Sequence, residues 1–330
     1  MRENDIERRW EAIMGRCRIC ATANGTTLAA REMMFGFRDE FEYFQCDNCG
    51  SVSLNHDLSE LDLQKYYPLN YYSFATPPKT RLRRWLIRQR DRRAMHQSNV
   101  IDSCISRLKP NPVLNLLCGH GVQSHHRILD VGCGAGTWLS SLANAGFRHL
   151  SGVDPFIAED ISLSDGVTIR KARISEVEGL YDVITFHHSL EHVPDPVTVV
   201  QMAANHLRSG GICLVRVPTV SSEAWDRYGP DWVQLDAPRH FAVPSRKGIG
   251  ILADAAGLAV ETVVDDSSEL QFYGSEQYRR GISLNDPRSY AVNPDSSIFS
   301  PGEMRAFRKC AVHLNAQSRG DQAAFLLRRH

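Results

Sequence analysis

The chain has 330 residues, 42% hydrophobic and 23% charged, with 38 basic residues against 38 acidic ones. This composition excludes a largely disordered chain. A formal net charge of zero excludes a protein built throughout to coat nucleic acid, though not one with a local basic patch. No run of 18 apolar residues occurs, so no membrane-spanning helix is expected. The opening MRENDIERRWEAIMGR lacks the apolar core of a signal peptide, so a cytoplasmic location is expected. In that compartment the nine cysteines are expected to be thiols or metal ligands rather than disulfides.

Residues 1–65 hold two close cysteine pairs. Cys17-x2-Cys20 and Cys46-x2-Cys49, with 25 residues between them, suit four thiolates around one tetrahedral zinc. Gly50 follows the second pair, where a tight knuckle favours positive φ. The stretch FGFRDEFEYFQC between the pairs has the character of a small hairpin. A unit this small has a thin core, which a metal would remedy. Four sulfur ligands leave no open position, so the zinc is expected to be structural. The plainer alternative is four unrelated thiols or disulfides. Cys104, Cys118, Cys133, Cys213 and Cys310 show no metal spacing and are expected to be small buried hydrophobes.

Residues 66–126 read as a connector, aromatic at first (YYPLNYYSFATPPK) and then rich in arginine. Lys79 to Arg93 carries one Lys and seven Arg against one Asp, with Leu82, Trp85 and Leu86 on one helical face. A solvated face packed by its apolar stripe is favoured over RNA binding or contact with anionic lipid or a phosphate-bearing substrate. The stretch 111–126 is long and mixed before the first strand, and its role is not read from the sequence.

Residues 127–330 alternate short apolar runs with helical stretches, the pattern of a doubly wound α/β domain. Strands are expected at Arg127–Val131, His149–Val153, near Val167–Arg170, at Tyr181–Phe186, at Ile212–Val217, near Ala259–Val264 and at Ala323–Leu327. A helix follows the first strand and stops at Gly146. Another begins after Asp195-Pro196 and runs to about Arg208, ended by Gly210-Gly211. A long loop follows the fifth strand, and a helix is expected near Arg246–Ala256. Ser300-Pro301-Gly302-Glu303 has the form of a capping box opening a further helix.

Asp130-Val131-Gly132-Cys133-Gly134-Ala135-Gly136 joins the first strand to its helix. Glycines there let a ligand approach backbone amides at a helix start. The G-x-G-x-G spacing, with Thr137 where a dinucleotide fingerprint has its last glycine, suits a ligand without a pyrophosphate. Asp154 ends the second strand, 22 residues past Gly132, where a carboxylate can accept both ribose hydroxyls. Together the two features point to a nucleoside site.

ILDVGCGAGTWL, GVDP, YDVITF running into HHSLEHVPDP, and LRSGGICLVRVP resemble the successive motifs of class I S-adenosylmethionine-dependent methyltransferases. The resemblance covers about Arg127–Pro218. It implies a seven-stranded Rossmann-like sheet with an antiparallel last strand, here preceded by a small zinc-ribbon-like domain. It implies that Gly132, Gly134 and Gly136 line the methionine end of S-adenosyl-L-methionine, that Asp154 holds its ribose, that Asp130 supports the turn and that His187 lies beside the amino-acid portion. Arg173–Ser175 falls where the family meets adenine. The paired knuckles before such a core, and the stretch Asp236 to Phe241, are similar to sugar C-methyltransferases of surface-polysaccharide and antibiotic pathways. Those enzymes usually carry a further C-terminal domain, for which this chain has no room in full. The acceptor implied is a small molecule, a sugar-nucleotide or lipid-linked glycan precursor. An RNA or protein methyltransferase using the knuckles and the Arg-rich helix is the alternative, and a non-catalytic cofactor-binding protein is a third reading. Nucleic acid is not the expected partner, and peripheral membrane contact stays open.

Such a donor is already a strong electrophile, so the protein must align the acceptor and remove its proton. Histidine is the natural base near neutral pH. His187, His188 and His192 follow the fourth strand, and His240 lies in the long loop. His192 is the first choice of catalytic base and His240 the second. The alternative is that Leu190-Glu191-His192 only caps and packs the next turn. A third role for His188-x2-Glu191-His192 is binding a divalent ion, as the E-x-x-E-H stretch of ubiquinone-pathway O-methyltransferases can, with nitrogen donors shifting preference away from magnesium. Tyr228, Trp232, Asp236 and Arg239 share the loop with His240, a mixture suited to a polar ring. Alternatively, Trp225 and Trp232 pack the loop onto the sheet.

Overall fold

The computed structural model describes residues 15–56, 58–68, 81–95, 111–163 and 166–330. Lys79, Thr80 and Cys104, and the side chains of Leu82, Arg83 and Arg84, lie outside the described residues.

Alternating apolar residues between the cysteine pairs form an antiparallel hairpin of β1 (Gly25–Arg31) and β2 (Glu40–Cys46), to which β3 (Val52–Leu54) adds. The fourth strand of this sheet comes from far along the chain. β10 (Ala242–Val243) pairs antiparallel with β3, matching Ala242 with Ser53 and Val243 with Val52. The Ser51 hydroxyl accepts from the Ser245 amide at 2.9 Å, beside that pairing. Cys17, Ile19, Phe44, Cys46 and Cys49 share one apolar core with Ile249 and Leu252 of the following helix. The N-terminal sheet is thereby joined to the larger fold.

The second sheet has the order β11-β12-β9-β8-β4-β5-β7-β6. Its centre is parallel: β4 (Arg127–Val131), β5 (His149–Val153), β7 (Thr168–Arg170), β8 (Tyr181–His187) and β9 (Leu207–Pro218). These strands are nearly continuous apolar runs because helices cover both faces. β12 (Gln322–Arg329) lies antiparallel between β9 and β11 (Leu258–Asp265). The seven expected strands are therefore present with the last one reversed. An eighth, the two-residue β6 (Ile161–Ser162), adds antiparallel at the β7 edge.

Local signals in the sequence are met at the helix ends. Asp195 accepts from the Thr198 amide at 3.1 Å and opens the helix Pro196–Asn205. Ser300 and Glu303 form the reciprocal capping box of Pro301–Ala316. Gly146 ends the helix Thr137–Ala145 at φ 112°. Gly50 takes φ 76°.

Three expectations are corrected, and one stretch left unread gains an element. The helix after Asp195 stops at Asn205 rather than Arg208, and Gly210-Gly211 lie inside β9. Leu207 already pairs with Tyr181, while Val183 pairs with Ile212, so residues 208–211 bulge out of the ladder. Leu207 is buried, and this tertiary demand overrides the local glycine signal. The stretch 111–126 contains a helix, Pro112–Gly119, capped by Asn111 and burying Val113, Leu114, Leu116 and Leu117. The arginine-rich helix Arg81–Met95 lies against this helix and Thr137–Ala145, but Trp85 and Leu86 are 48% and 38% exposed. The apolar stripe is not buried at those two positions. Of the unpaired cysteines, Cys213 is buried as expected, Cys118 and Cys133 are half-buried, and Cys310 is exposed.

Candidate functional site

The glycine turn and the acid after the second strand meet. All three glycines adopt positive φ, 71° at Gly132, 50° at Gly134 and 77° at Gly136. Parallel pairing of β4 with β5 brings Asp154 beneath this turn. The Gly134 amide donates to Asp154 Oδ2 at 2.8 Å, and the Phe156 amide donates to Oδ1 at 2.8 Å. Each carboxylate oxygen retains a lone pair for a further donor, the arrangement a pair of ribose hydroxyls needs. A Cβ on Gly132 would stand 2.5 Å from Ser189 Cβ, so the turn fits tightly under the loop after β8. Ser189 secures that fit by donating to the Val131 carbonyl at 2.6 Å.

Asp130 is fully buried and accepts from the Thr185 hydroxyl at 2.6 Å. Burial, helped by the nearby Asp154 charge and opposed by Thr185, pushes its carboxyl up to about 7. His187 stacks on Trp138, ring centroids 4.6 Å apart and nearly parallel. Burial and then the Arg216 charge hold its imidazole well below the ordinary range, so it is neutral. Arg216 Nη1 lies 3.2 Å from His187 Nε2 and also contacts His188, while its other side pairs with Asp266. Trp138 and Arg216 were not foreseen. Trp138 had a signal, an aromatic residue at the first turn of the helix after the glycines. Arg216 had none, because a charge near the end of an apolar strand reads as an exposed tip.

Beside the turn, Glu191, His192 and His240 come together, with one ligating atom from each lying within 4.8 Å of the others. The Phe241 amide donates to the Glu191 carbonyl at 2.8 Å, which ties the two loops to each other. The His192 and His240 rings meet edge to face at 4.6 Å. His192 Nδ1 lies 2.9 Å from the Arg239 carbonyl, and His240 Nδ1 lies 2.9 Å from the Gln234 carbonyl. A carbonyl only accepts, so each Nδ1 carries the hydrogen and each Nε2 is left with its lone pair. Burial, and then the His192 charge, lower His240 to about 4. Burial opposes ionisation of Glu191, but the His188, His192 and His240 imidazoles draw it down to about 2. A buried carboxylate therefore faces three imidazoles, with His188 Nδ1 3.4 Å from Glu191 Oε1, and can balance the charge of one that takes up a proton.

His188 does not complete the ion-binding set read from the sequence. It sits at φ 57° with its amide on the Arg216 carbonyl at 2.9 Å, and its ring bridges Arg216 through Nε2 and Glu191 through Nδ1, at 3.4 Å from Oε1. Three atoms near enough to share a cation come instead from Glu191, His192 and His240. The loop residues expected to face a polar ring substrate are structural. Arg239 is fully buried, bonded to Asp236 at 2.7 Å and to Glu32 at 2.9 Å. Trp232 is fully buried, donates to Asp321 at 3.0 Å and meets Trp225 edge-on. Tyr228 is buried too. Arg173 caps a short 3-10 turn, its amide donating to Glu176 at 2.7 Å.

The four cysteines of the two knuckles also converge. Cys17 and Cys49 Sγ atoms are 3.5 Å apart, those of Cys20 and Cys46 3.4 Å, and all four lie within 4.8 Å of one another. The Ile19 and Cys49 amides point at Cys17 and Cys46 sulfurs at 3.5 Å, contacts that suit thiolates.

Residues 83–263 match a methyltransferase domain family, which is more than half the chain. The chain belongs to that methyltransferase domain family. The ubiquinone biosynthesis O-methyltransferase of Chromobacterium violaceum is 30% identical over 196 residues, covering 53% of this methyltransferase chain and 80% of the relative. The enzyme of the same name from Pectobacterium atrosepticum is 36% identical over 110 residues, 30% of this chain and 45% of the relative. The chain spans about half the length of several such curated relatives. Among solved structures, magnesium protoporphyrin IX methyltransferase from Synechocystis PCC 6803 is 13% identical with a TM-score of 0.41, covering 74% of this chain and 93% of that one. No helix among the described residues is long and apolar enough to cross a membrane.

Proposed function

We propose that the protein transfers a methyl group from S-adenosylmethionine to a hydroxyl of a small-molecule acceptor. The observation that carries this reading is the Gly134 amide on Asp154, which unites the glycine turn and the acid into one nucleoside cradle. In this reading Gly132, Gly134 and Gly136 flank the methionine end, Asp154 takes the ribose hydroxyls, and neutral His187 lies on Trp138 beside the amino-acid portion. Asp130 braces the turn through Thr185. The acceptor oxygen attacks the methyl carbon as the carbon–sulfur bond breaks. The sulfonium becomes a neutral thioether and the acceptor's proton leaves. That proton goes to the bare Nε2 of His192, with His240 the second candidate and Glu191 the countercharge. The N-terminal resemblance supports a sugar or glycan precursor as the acceptor, and the O-methyltransferase relatives support oxygen as the atom methylated.

The four cysteines fit one structural zinc. The convergence of two C-x2-C knuckles, each with an amide aimed at its first sulfur, supports it. Bound there, zinc would supply no chemistry and would tie the loop before β1 to the C-terminal end of β2.

Calorimetry with S-adenosylhomocysteine tests the cradle. Asp154→Ala should abolish binding in a protein that melts cooperatively. His192→Ala should bind normally and transfer slowly. Unchanged affinity in Asp154→Ala would remove the proposed cofactor site.

A further inference from the structure

We infer that Tyr67, from the N-terminal unit, is a positioning residue for His192. The inference rests on the reading of His192 as the group that takes the acceptor's proton, and it extends that site across the junction between the two sheets. Tyr67 Oη lies 3.1 Å from His192 Nδ1, and the two rings meet edge-on with centroids 6.3 Å apart. The residues are 125 positions apart in sequence, so the contact exists only because the two units are joined.

The segment carrying Tyr67 is held on several sides. Ser59 and Asp62 form a capping box at the short helix Glu60–Gln64. The Tyr66 and Tyr67 amides continue that turn, bonding to the Leu63 and Gln64 carbonyls at 2.8 and 3.2 Å. The Tyr66 hydroxyl donates to Asp39 at 2.7 Å, and the Tyr66 carbonyl accepts from buried Arg239 at 3.2 Å. The next residue is thus placed by the same arginine whose own carbonyl accepts from His192 Nδ1 at 2.9 Å. A second tyrosine acts on the other imidazole's backbone. Tyr43 of β2 donates to the His240 carbonyl at 3.0 Å.

The hydrogen on Nδ1 therefore faces two oxygens, the Arg239 carbonyl and the Tyr67 phenol. With neutral His192 that shared hydrogen bond selects the tautomer with a bare Nε2. After Nε2 takes a proton, the ring is cationic and the same bond becomes charge-assisted, roughly twice as strong. Tyr67 thus favours the state after proton transfer over the state before it, the kind of differential contact that raises rate rather than affinity. Its hydroxyl touches neither acceptor nor cofactor in this account and acts through His192.

The test uses the full chain with histidine labelled at nitrogen, and His192→Gln to assign the signals. In the wild type, the His192 Nδ1 resonance should show a bound hydrogen and Nε2 a bare lone pair, with slow exchange of the Nδ1 hydrogen. Tyr67→Phe keeps the ring contact and removes only the hydroxyl. It should move the Nδ1 signal and speed that exchange about tenfold, while S-adenosylhomocysteine affinity and melting temperature stay as in the wild type. An Nε2–H tautomer in the wild type would overturn the proposal, as would an unmoved Nδ1 signal in Tyr67→Phe. Loss of S-adenosylhomocysteine binding by the wild type would instead overturn the functional reading beneath it.

Discussion

Arg239→Ala should be among the most damaging single changes to the fold, although sequence patterns place Arg239 in a loop. The guanidinium is fully buried and bonds Asp236 at 2.7 Å and Glu32 at 2.9 Å. Removing one partner of a buried ion pair costs about 3–5 kcal/mol, because the other is left charged and unpaired. Glu32 is partly insured by the Phe35 and Phe37 amides, each donating at 2.9 Å. Asp236 has less: the His240 ring nitrogen lies 3.8 Å away. We expect a loss of about 4 kcal/mol at pH 7, or on the order of 8 °C in Tm for a chain of this size. The pH dependence has a definite sign. Burial would raise Asp236, but the Arg239 charge and hydrogen bonds hold it below the ordinary value. The stabilisation from that pair is present above the ordinary carboxylate pKa of 3.8 and is lost as pH falls through the lowered one. In the variant the stranded carboxyl protonates more easily, so the gap to wild type should narrow between about pH 6 and 4. Arg239→Lys keeps the charge but loses the planar fork, and should fall between the two. Thermal melts across that pH range are the assay. A Tm difference under about 2 °C at pH 7, or a gap that does not narrow in acid, would refute the reasoning.

Three further outcomes are expected. Gly132→Ala places a methyl group 2.5 Å from Ser189 Cβ at a left-handed residue, so it should lower Tm and weaken S-adenosylhomocysteine binding together; calorimetry showing wild-type affinity would mean the turn relaxes away from Ser189. Metal analysis should find one zinc per chain, lost in Cys46→Ser with melting of the N-terminal sheet; a folded, zinc-free wild type would remove that site. Asp130, raised to about 7 by burial, keeps its stability contribution below its ordinary 3.8 and loses it as pH rises through about 7. Asp130→Asn should therefore gain on wild type between about pH 4 and 7 in urea melts; a constant difference would show that the carboxyl is not protonated in the fold.

What could be read in advance depended on whether a feature is local. Asp154 and the three glycines were legible because strand, turn and strand fix them within a short span, and parallel pairing leaves one place for the acid. The capping residues Asp195 and Ser300 and the two cysteine knuckles were legible for the same reason. The sequence misled where long-range packing decides. Gly210-Gly211 is a stop signal for a helix, yet burial of Leu207 draws the chain into β9 earlier. Arg239 and Asp236 have the character of substrate ligands, and nothing near them in sequence names Glu32 as the third charge, 207 residues away. His192 and His240 were each read as bases, but their meeting depends on β10 crossing to β3. That crossing explains why a small four-cysteine unit belongs on a methyltransferase fold at all. β10 follows His240 by one residue, and Arg239, which precedes it, reaches Glu32 and the Tyr66 carbonyl. The loop holding one imidazole is thus pinned at both ends by the N-terminal unit, and the other imidazole touches that unit through Tyr67. The proposed acceptor site cannot be rigid unless the N-terminal sheet is, and the two knuckles, one before β1 and one closing the C-terminal end of β2, are where a metal would make it so.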